Sequence, residues 1–323
     1  MKCALHVLGI LLFALSPLAV AQTYPSKPVR VVVPWPPGGG NDLVARWIAQ
    51  KLVEPFGQQV IVDNRGGQSG VIGADFVAKA APDGHTIMVH TVTGHIINAS
   101  FYAKLPYDTE RDFAGVTMIA SVPHTLVAHP ALPVRNLKEL IALAKARPGE
   151  LNFASFGQAS TSHLSGELFN SMTGVKLVHV PYKGGGPALV DTLAGHVPLY
   201  FSSLPTSLPQ VKAGKLRALA VTSAERSRLM PETPTVDEAA GTKGYVSELV
   251  YGVFAPANVP KDVLGRINRE IVKVLHTPDM KERLAGIGTG DPIANTPEQM
   301  QAYVRQELPK WARIVQAAGV KPE

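Results

Sequence analysis

A chain of 323 residues, 46% hydrophobic and 17% charged, is long enough for about two domains and a sizeable core. Its formal charge of +6 is spread along the chain without a basic block or a nucleic-acid motif, which excludes a nucleic-acid binder and leaves a mild attraction for anions. The one cysteine, Cys3, sits in an N-terminal leader, so the remaining chain has no disulfide, no thiol nucleophile and no cysteine metal site.

That leader reads as an export signal. Lys2 supplies the positive start, Leu5–Leu15 is apolar apart from His6, Pro17 breaks any helix, and Ala19–Ala21 is a small-residue cleavage box. Cleavage after Ala21 leaves residues 22–323 with a formal charge of +5 once Lys2 is gone. The apolar core is short for a membrane span, and no later segment is long enough to make one.

From Gln22 strands and helices alternate. Val29–Val33 is a continuous β-branched run, the mark of a buried parallel strand. Asn41–Phe56 carries a helical apolar stripe (Leu43, Val44, Trp47, Ile48, Leu52) and is stopped by Gly57. Val60–Asp63 predicts a strand, Ser69–Ala80 a helix and Thr86–His90 a strand, with Pro82–Gly84 as the intervening turn. This is a βαβαβ unit with right-handed crossovers.

A second unit follows. His124–Ala128 predicts a strand, and Asn136 with Glu139 a capped helix start. Leu151–Ala154 is a strand and Ser162–Met172 a helix closed by Gly174. Leu177–Val180 is a strand, and Pro187–Ala194 a helix with Pro187 at its first position. Pro198–Phe201 and Leu216–Val221 are further strands. The C-terminal part has one strand, Tyr251–Ala255, a helix over Lys261–Leu275, and a long helix opened by Thr296-Pro297-Glu298-Gln299 that Pro309 is expected to kink. The apolar face of this tail is best buried by packing back on the first unit. The chain then crosses between units near Ala120–Pro123 and near Leu249–Ala255, which makes a hinged, two-lobe clam with a cleft. Lobe 1 is 22–121 plus 251–323, lobe 2 is 122–250, and 1–21 is the signal.

The loop Pro34–Asp42, "PWPPGGGND", lies between a strand and a helix, at the carboxyl end of the sheet where open α/β sheets bind ligands. Its free backbone N–H groups and the positive helix end favour an anion, with Asn41 either capping the helix or turned to the ligand. It has no Gly-Lys-Ser/Thr and no G-x-G-x-x-G, which speaks against a nucleotide. "PYKGGGPAL" (Pro181–Leu189) repeats the arrangement in the second unit, and "SFGQASTSHLSGE" (Ser155–Glu167) and "NRGGQSGVIG" (Asn64–Gly73) add two more strand-to-helix loops. Helix starts from both units facing one cleft would clamp an anion or the two ends of a dianion. Three or four charge-assisted hydrogen bonds at about 1.5–3 kcal/mol each, less ordering costs, give roughly micromolar binding.

"YPSKPVRVVVPWPPGGGNDLVAR", "NRGGQSGVIGADFVAKAAPDGHT", "SHLSGELF", "VPYKGGGPALVDTLAGHV" and "YGVFAPANVP" together make the chain resemble the Bug family, extracytoplasmic receptors of tripartite tricarboxylate transporters, over Tyr24–Val320. The resemblance implies a type II periplasmic-binding-protein fold, α/β, with two Venus-flytrap lobes that are each a mainly parallel sheet flanked by helices. It implies a periplasmic monomer without cofactor or metal. The partners would be a small carboxylate, such as a di- or tricarboxylate or an aromatic acid, and the transporter's membrane subunits. Carried over, Gly39, Gly40 and Asn41 line one side of the site, and Gly157, Thr161, Ser162 and His163 the other. Thr91 and Thr93 match polar strand-end positions, and Tyr182, Lys183 and Gly184 match the closing loop. Trp35 is either an apolar wall or a ring that stacks on a flat carboxylate. The chain departs from the family at Val250, where a bulky aromatic is common, and in the fewer glycines of "SFGQASTSH".

Catalytic patterns are missing. His163 and Glu167 share a helix face but lack H-E-x-x-H and a third ligand, no G-x-S-x-G elbow surrounds Ser69, Ser160 or Ser165, and Asp42, Asp63 and Asp191 lie in different elements. His85 and His179 read as structural, and His95 as a possible cleft donor. The reading is a receptor and not an enzyme. A secreted hydrolase of small acids, which turnover would reveal, and a ligand-dependent sensory docking protein, which pull-down would reveal, are the alternatives. Gly40→Pro removes an N–H from the first loop and restricts it. It is expected to abolish ligand binding with the fold intact, as checked by calorimetric titration and circular dichroism.

Overall fold

The computed structural model describes residues 24–317, so the leader and its cleavage point lie outside the described residues. In chain order the elements are β1 (Val29–Val33), α1 (Gly40–Phe56), β2 (Val60–Asn64), a 3-10 turn at Gln68–Gly70, α2 (Val71–Ala78), β3 (Thr86–Thr91), α3 (Val92–Phe101) and β4 (Phe113–Ala128). There follow α4 (Leu137–Ala146), β5 (Asn152–Ser155), α5 (Thr161–Thr173), β6 (Val178–Pro181), α6 (Gly185–Leu193), β7 (Leu199–Ser203), α7 (Leu204–Lys212), β8 (Arg217–Val221) and α8 (Val236–Ala240). The last are β9 (Glu248–Pro256), α9 (Lys261–Leu275), α10 (Pro278–Gly286) and α11 (Pro297–Ala317).

The strands lie in the order β2-β1-β3-β9-β4-β7-β5-β6, with β8 also on β4. β1 pairs in parallel with β2 and β3, and β5 in parallel with β6 and β7. Every antiparallel pair involves β4 or β9. These two strands carry the chain between the halves of the sheet: Phe113–Pro123 of β4 pairs with β9, whereas His124–Ala128 pairs with β7 and β8. The expected parallel units are therefore present, each completed by antiparallel strands where the chain leaves and returns.

The elements missed in the sequence share a cause. Val92–Asn98 of α3 is buried on every side, so no amphipathic stripe marks it. Thr93, expected at a strand end, therefore lies in the first turn of this helix. The first half of β4 is likewise buried on both faces and shows no alternation. Prolines obscured α7, but Pro205 occupies its first turn, where an N–H is dispensable. α6 starts at Gly185, two residues before Pro187, which is its third residue and not its first. The second expected helix begins as a 3-10 turn with Ser69 at φ 51°, and only Val71–Ala78 is α-helical.

Other local signals act as read. The Asn136 side chain accepts the Glu139 N–H at 2.9 Å, and Glu139 returns a carboxylate oxygen to the N–H of Arg135 at 2.7 Å. α9 covers Lys261–Leu275 and buries Ile267, Ile271, Val274 and Leu275 against α1 and β4. α11 runs through Pro309 as one helix and packs on α3 and β4, so the tail closes over the first half of the sheet.

His95 and His124 are core groups, and His179 is half-buried beside Phe153 and His163. His95 stacks on Tyr107 at 5.5 Å and meets Phe113 at 4.6 Å and Phe254 at 4.9 Å, so it faces the aromatic core and not the cleft. Burial pushes His95 and His124 down to about 3, and burial with the neighbouring His163 does the same to His179. The unfolded chain takes up these protons near 6.5 and the folded chain does not, so stability is full above that pH and is lost as pH falls below it. The melting temperature is expected to fall steadily from pH 6.5 to about pH 4.5. Calorimetry showing a pH-independent transition over that range would contradict the buried, neutral rings.

Candidate functional site

A cavity of about 420 Å³ opens between the two halves of the sheet. The starts of α1, α3, α5, α6 and α7 all face it, together with Leu249 and Tyr251 of β9. Parallel strands send their following helices back over the sheet, so each helix start comes to the same edge.

The first wall is "PWPPGGGND". Gly39 is the N-cap of α1, extended, with no side chain capping the helix. The first bond of the helix is Leu43 N–H to Gly39 O at 3.0 Å, and among the described residues nothing bonds to the N–H of Gly40 or Asn41. Asn41 does not cap the helix; it lines the cavity with a buried, unpartnered Oδ1. The Gly38 N–H is not available to a ligand, because it donates to Asp42 Oδ2 at 2.9 Å.

Asp42 is the pin of this loop. It is 3% exposed and also accepts from Arg46 at 3.0 Å and from Asn64 at 3.0 Å. Asn64 in turn donates to Trp35 O at 3.1 Å, which ties both ends of the loop to the end of β2. Burial alone would raise the Asp42 pKa, but the bonds from Arg46, Gly38 and Asn64 outweigh it and hold the carboxyl below its usual range. Trp35 lines the cavity with its indole N–H donated to His90 Nδ1 at 3.1 Å. His90 is wholly buried, and burial with the nearby His95 keeps it neutral, so Nδ1 remains an acceptor. Trp35 is thus fixed as part of the wall.

The opposite wall comes from α5, α6 and α7. Ser160 caps α5 by accepting the His163 N–H at 3.2 Å, and the N–H groups of Thr161 and Ser162 are unbonded. Gly184 precedes α6 and gives its own N–H to Phe156 O at 2.8 Å, leaving those of Gly185 and Gly186 unbonded. Lys183 is the one charged residue on the wall among the described residues, and no carboxylate lines it. The field inside therefore favours an anion.

Of the residues singled out in the sequence, Trp35, Gly39, Gly40, Asn41, Thr91, Thr161, Lys183 and Gly184 line the cavity. Thr93, Gly157, Ser162, His163 and Tyr182 do not. Thr93 donates to Glu248 O at 3.3 Å inside the molecule. Gly157 makes a turn at φ 140°, where a Cβ would lie 2.9 Å from Tyr182 O. The Ser162 hydroxyl is spent on Phe201 O, and the His163 ring stacks on His179 at 3.6 Å while its Nδ1 takes the Ala159 N–H. Tyr182 donates to Asp191 at 2.6 Å and is held aside. Among the described residues no group of three or more His, Cys, Asp or Glu is placed to hold a metal.

Sequence reasoning missed Ser69, Phe156, Thr206, Leu249 and Tyr251, all on the cavity wall. Leu249 and Tyr251 were visible as alternate residues of one strand. Ser69 lies in the Asn64–Gly73 loop that the sequence pointed to, but nothing singled the residue out: it reaches the wall through its positive φ and donates its hydroxyl to Gln158 O across the cleft.

Residues 44–320 match the family described as tripartite tricarboxylate transporter family receptor. The chain belongs to this family, that of the Bug receptors. It is 38% identical to protein BugT of Bordetella pertussis over 302 residues, 93% of this chain and 92% of that protein. The structure of R. palustris Rpa4515 with adipate matches with a TM-score of 0.88 at 38% identity, covering 93% of this chain and all of that one. MatC from Rhodopseudomonas palustris with bound malate matches at 0.84 and 31% identity, covering 90% and 100%. As a Bug receptor the protein is a solute-binding protein with the two-lobe fold, not an enzyme. No helix among the described residues is long and apolar enough to cross a membrane.

Asp42→Ala removes the carboxylate that holds Gly38, Arg46 and Asn64 together. The expected loss is about 2 kcal/mol of stability and about tenfold in ligand affinity, read by denaturant unfolding and titration calorimetry. An unchanged affinity would mean that the loop is ordered without its pin.

Proposed function

We propose that the protein is an exported receptor that captures a small dicarboxylate in the interlobe cleft and presents it to the membrane subunits of a tripartite transporter. The carrying observation is the set of unbonded backbone N–H groups, at Gly40 and Asn41 on one wall and at Thr161, Gly185 and Gly186 on the other, around a cavity whose one charged wall residue is Lys183. A ligand with a carboxylate at each end satisfies both walls at once. Its middle meets Trp35, Phe156 and Leu249, which suits carbon chains or a flat ring better than a densely hydroxylated body. The similar receptors with adipate and malate hold such diacids. The absence of an acidic residue on the wall leaves no partner for an amine, so acidic amino acids fit less well.

Binding closes the clam because a diacid contacts both lobes only when they meet, and the ligand favours the closed state by that difference. The proposed lobes are 22–121 with 251–323, and 122–250, a division close to the point, Pro123–His124, at which β4 leaves β9 for β7. Residues 1–21 would deliver the chain to the periplasm as an unlipidated monomer.

The test is a thermal-shift screen of residues 22–323, denatured and refolded to strip bound ligand, against succinate, malate, adipate, tricarboxylates, aromatic acids and acidic amino acids. A saturable rise in melting temperature with a diacid is expected, since binding to the native state alone stabilises by mass action. No rise with any acid would overturn the carboxylate reading.

A further inference from the structure

The inference rests on the carboxylate reading and adds the residue that grips one end of the ligand. Tyr251 is 1% exposed, lines the cavity, and its hydroxyl makes no hydrogen bond among the described residues. A Cβ built on Gly40 would fall 2.1 Å from that oxygen and 3.1 Å from the ring carbon that bears it, so the phenol lies directly against the first residue of α1. The unbonded amides of Gly40 and Asn41 open at the same place. We propose that Tyr251 is a direct ligand-binding residue, donating its hydroxyl proton to the carboxylate that sits on the start of α1.

Packing gives no reason for the oxygen. Within the described residues the hydroxyl has no partner, and it belongs to the cavity wall, where Phe would fill the same space without the oxygen. The fold also leaves room for it, since only glycine at position 40 allows the phenol to lie there; Gly40→Pro would therefore displace Tyr251 as well as remove an N–H, and would not leave the fold untouched as the sequence suggested. Burial raises the phenol above its ordinary value of 10, so it remains a neutral donor and never a phenolate opposing the ligand's charge. Tyr251 pairs with Thr91 of β3 and Ala120 of β4, while Glu248–Val250 pair with β4 alone. The residue thus stands where β9 parts from the first half of the sheet, and its bond to a ligand ties α1 to the strand that joins the lobes.

Tyr251→Phe tests this in residues 22–323, refolded free of ligand. Wild type and variant are titrated calorimetrically with succinate, malate and adipate, and both are melted without ligand. The expected result is an apo melting temperature equal to or above wild type with affinity for the tightest diacid lowered about tenfold or more, the share of one hydrogen bond to a charged acceptor. A dissociation constant within about twofold of wild type would overturn the role of Tyr251 and leave the carboxylate reading standing. If wild type itself bound none of the three diacids, the diacid reading and this inference would fall together. A lower apo melting temperature with unchanged affinity would make Tyr251 a packing residue.

Discussion

The pairing of β4 with β9 is the constraint on which the rest of the molecule depends. It runs from Phe113 opposite Pro256 to Pro123 opposite Glu248 and is the seam shared by both halves of the sheet. Because β4 continues past its last partner on β9 into the second half of the sheet, the two sets of parallel strands are held so that their carboxyl ends look into one gap. Helix starts then face each other without any residue having been placed there individually. The same ladder sets Leu249 and Tyr251 on one face of β9 and so on the cavity wall.

On the proposed reading, anion recognition at these helix starts is a property of the backbone. Side chains act mainly by shaping which amides remain unbonded. Asp42 takes Gly38, Phe156 takes Gly184, and Ser160 takes His163, so at each helix one or more N–H groups are used and the next ones are left open. The buried histidines serve a related end. Kept neutral, His90 holds the Trp35 indole without adding a charge behind the cavity, and His95 fills an aromatic core.

On the proposed reading, the open amides and Lys183 account for a receptor that takes an acid, and the seam for a receptor that moves. A ligand touching only one wall would bind without closing the clam. One that reaches α1 on one side and α5 or α6 on the other converts its binding free energy into closure. The Ser69–Gln158 contact shows that the walls can also meet directly, so the ligand need supply only part of the closing contacts.

The sequence by itself determined the alternation of strands and helices, most helix starts and the glycine loops, because these depend on residues close in the chain: β-branched runs, capping residues and turn glycines. It showed α9 to the residue and placed the loop Pro34–Asp42 at a ligand-binding edge. It did not show α3 or the first half of β4, whose residues are buried on all sides and so lack the polar face that makes periodicity visible. Tertiary structure alone decided which loop residues face the cavity. Ser162, His163 and Tyr182 turn to Phe201, His179 and Asp191, while Tyr251 arrives at the cavity from a strand with no binding signature and Ser69 from a glycine loop that did not single it out. A side chain's direction follows the competition among distant partners for its hydrogen bonds, and that competition exists only once the chain has folded.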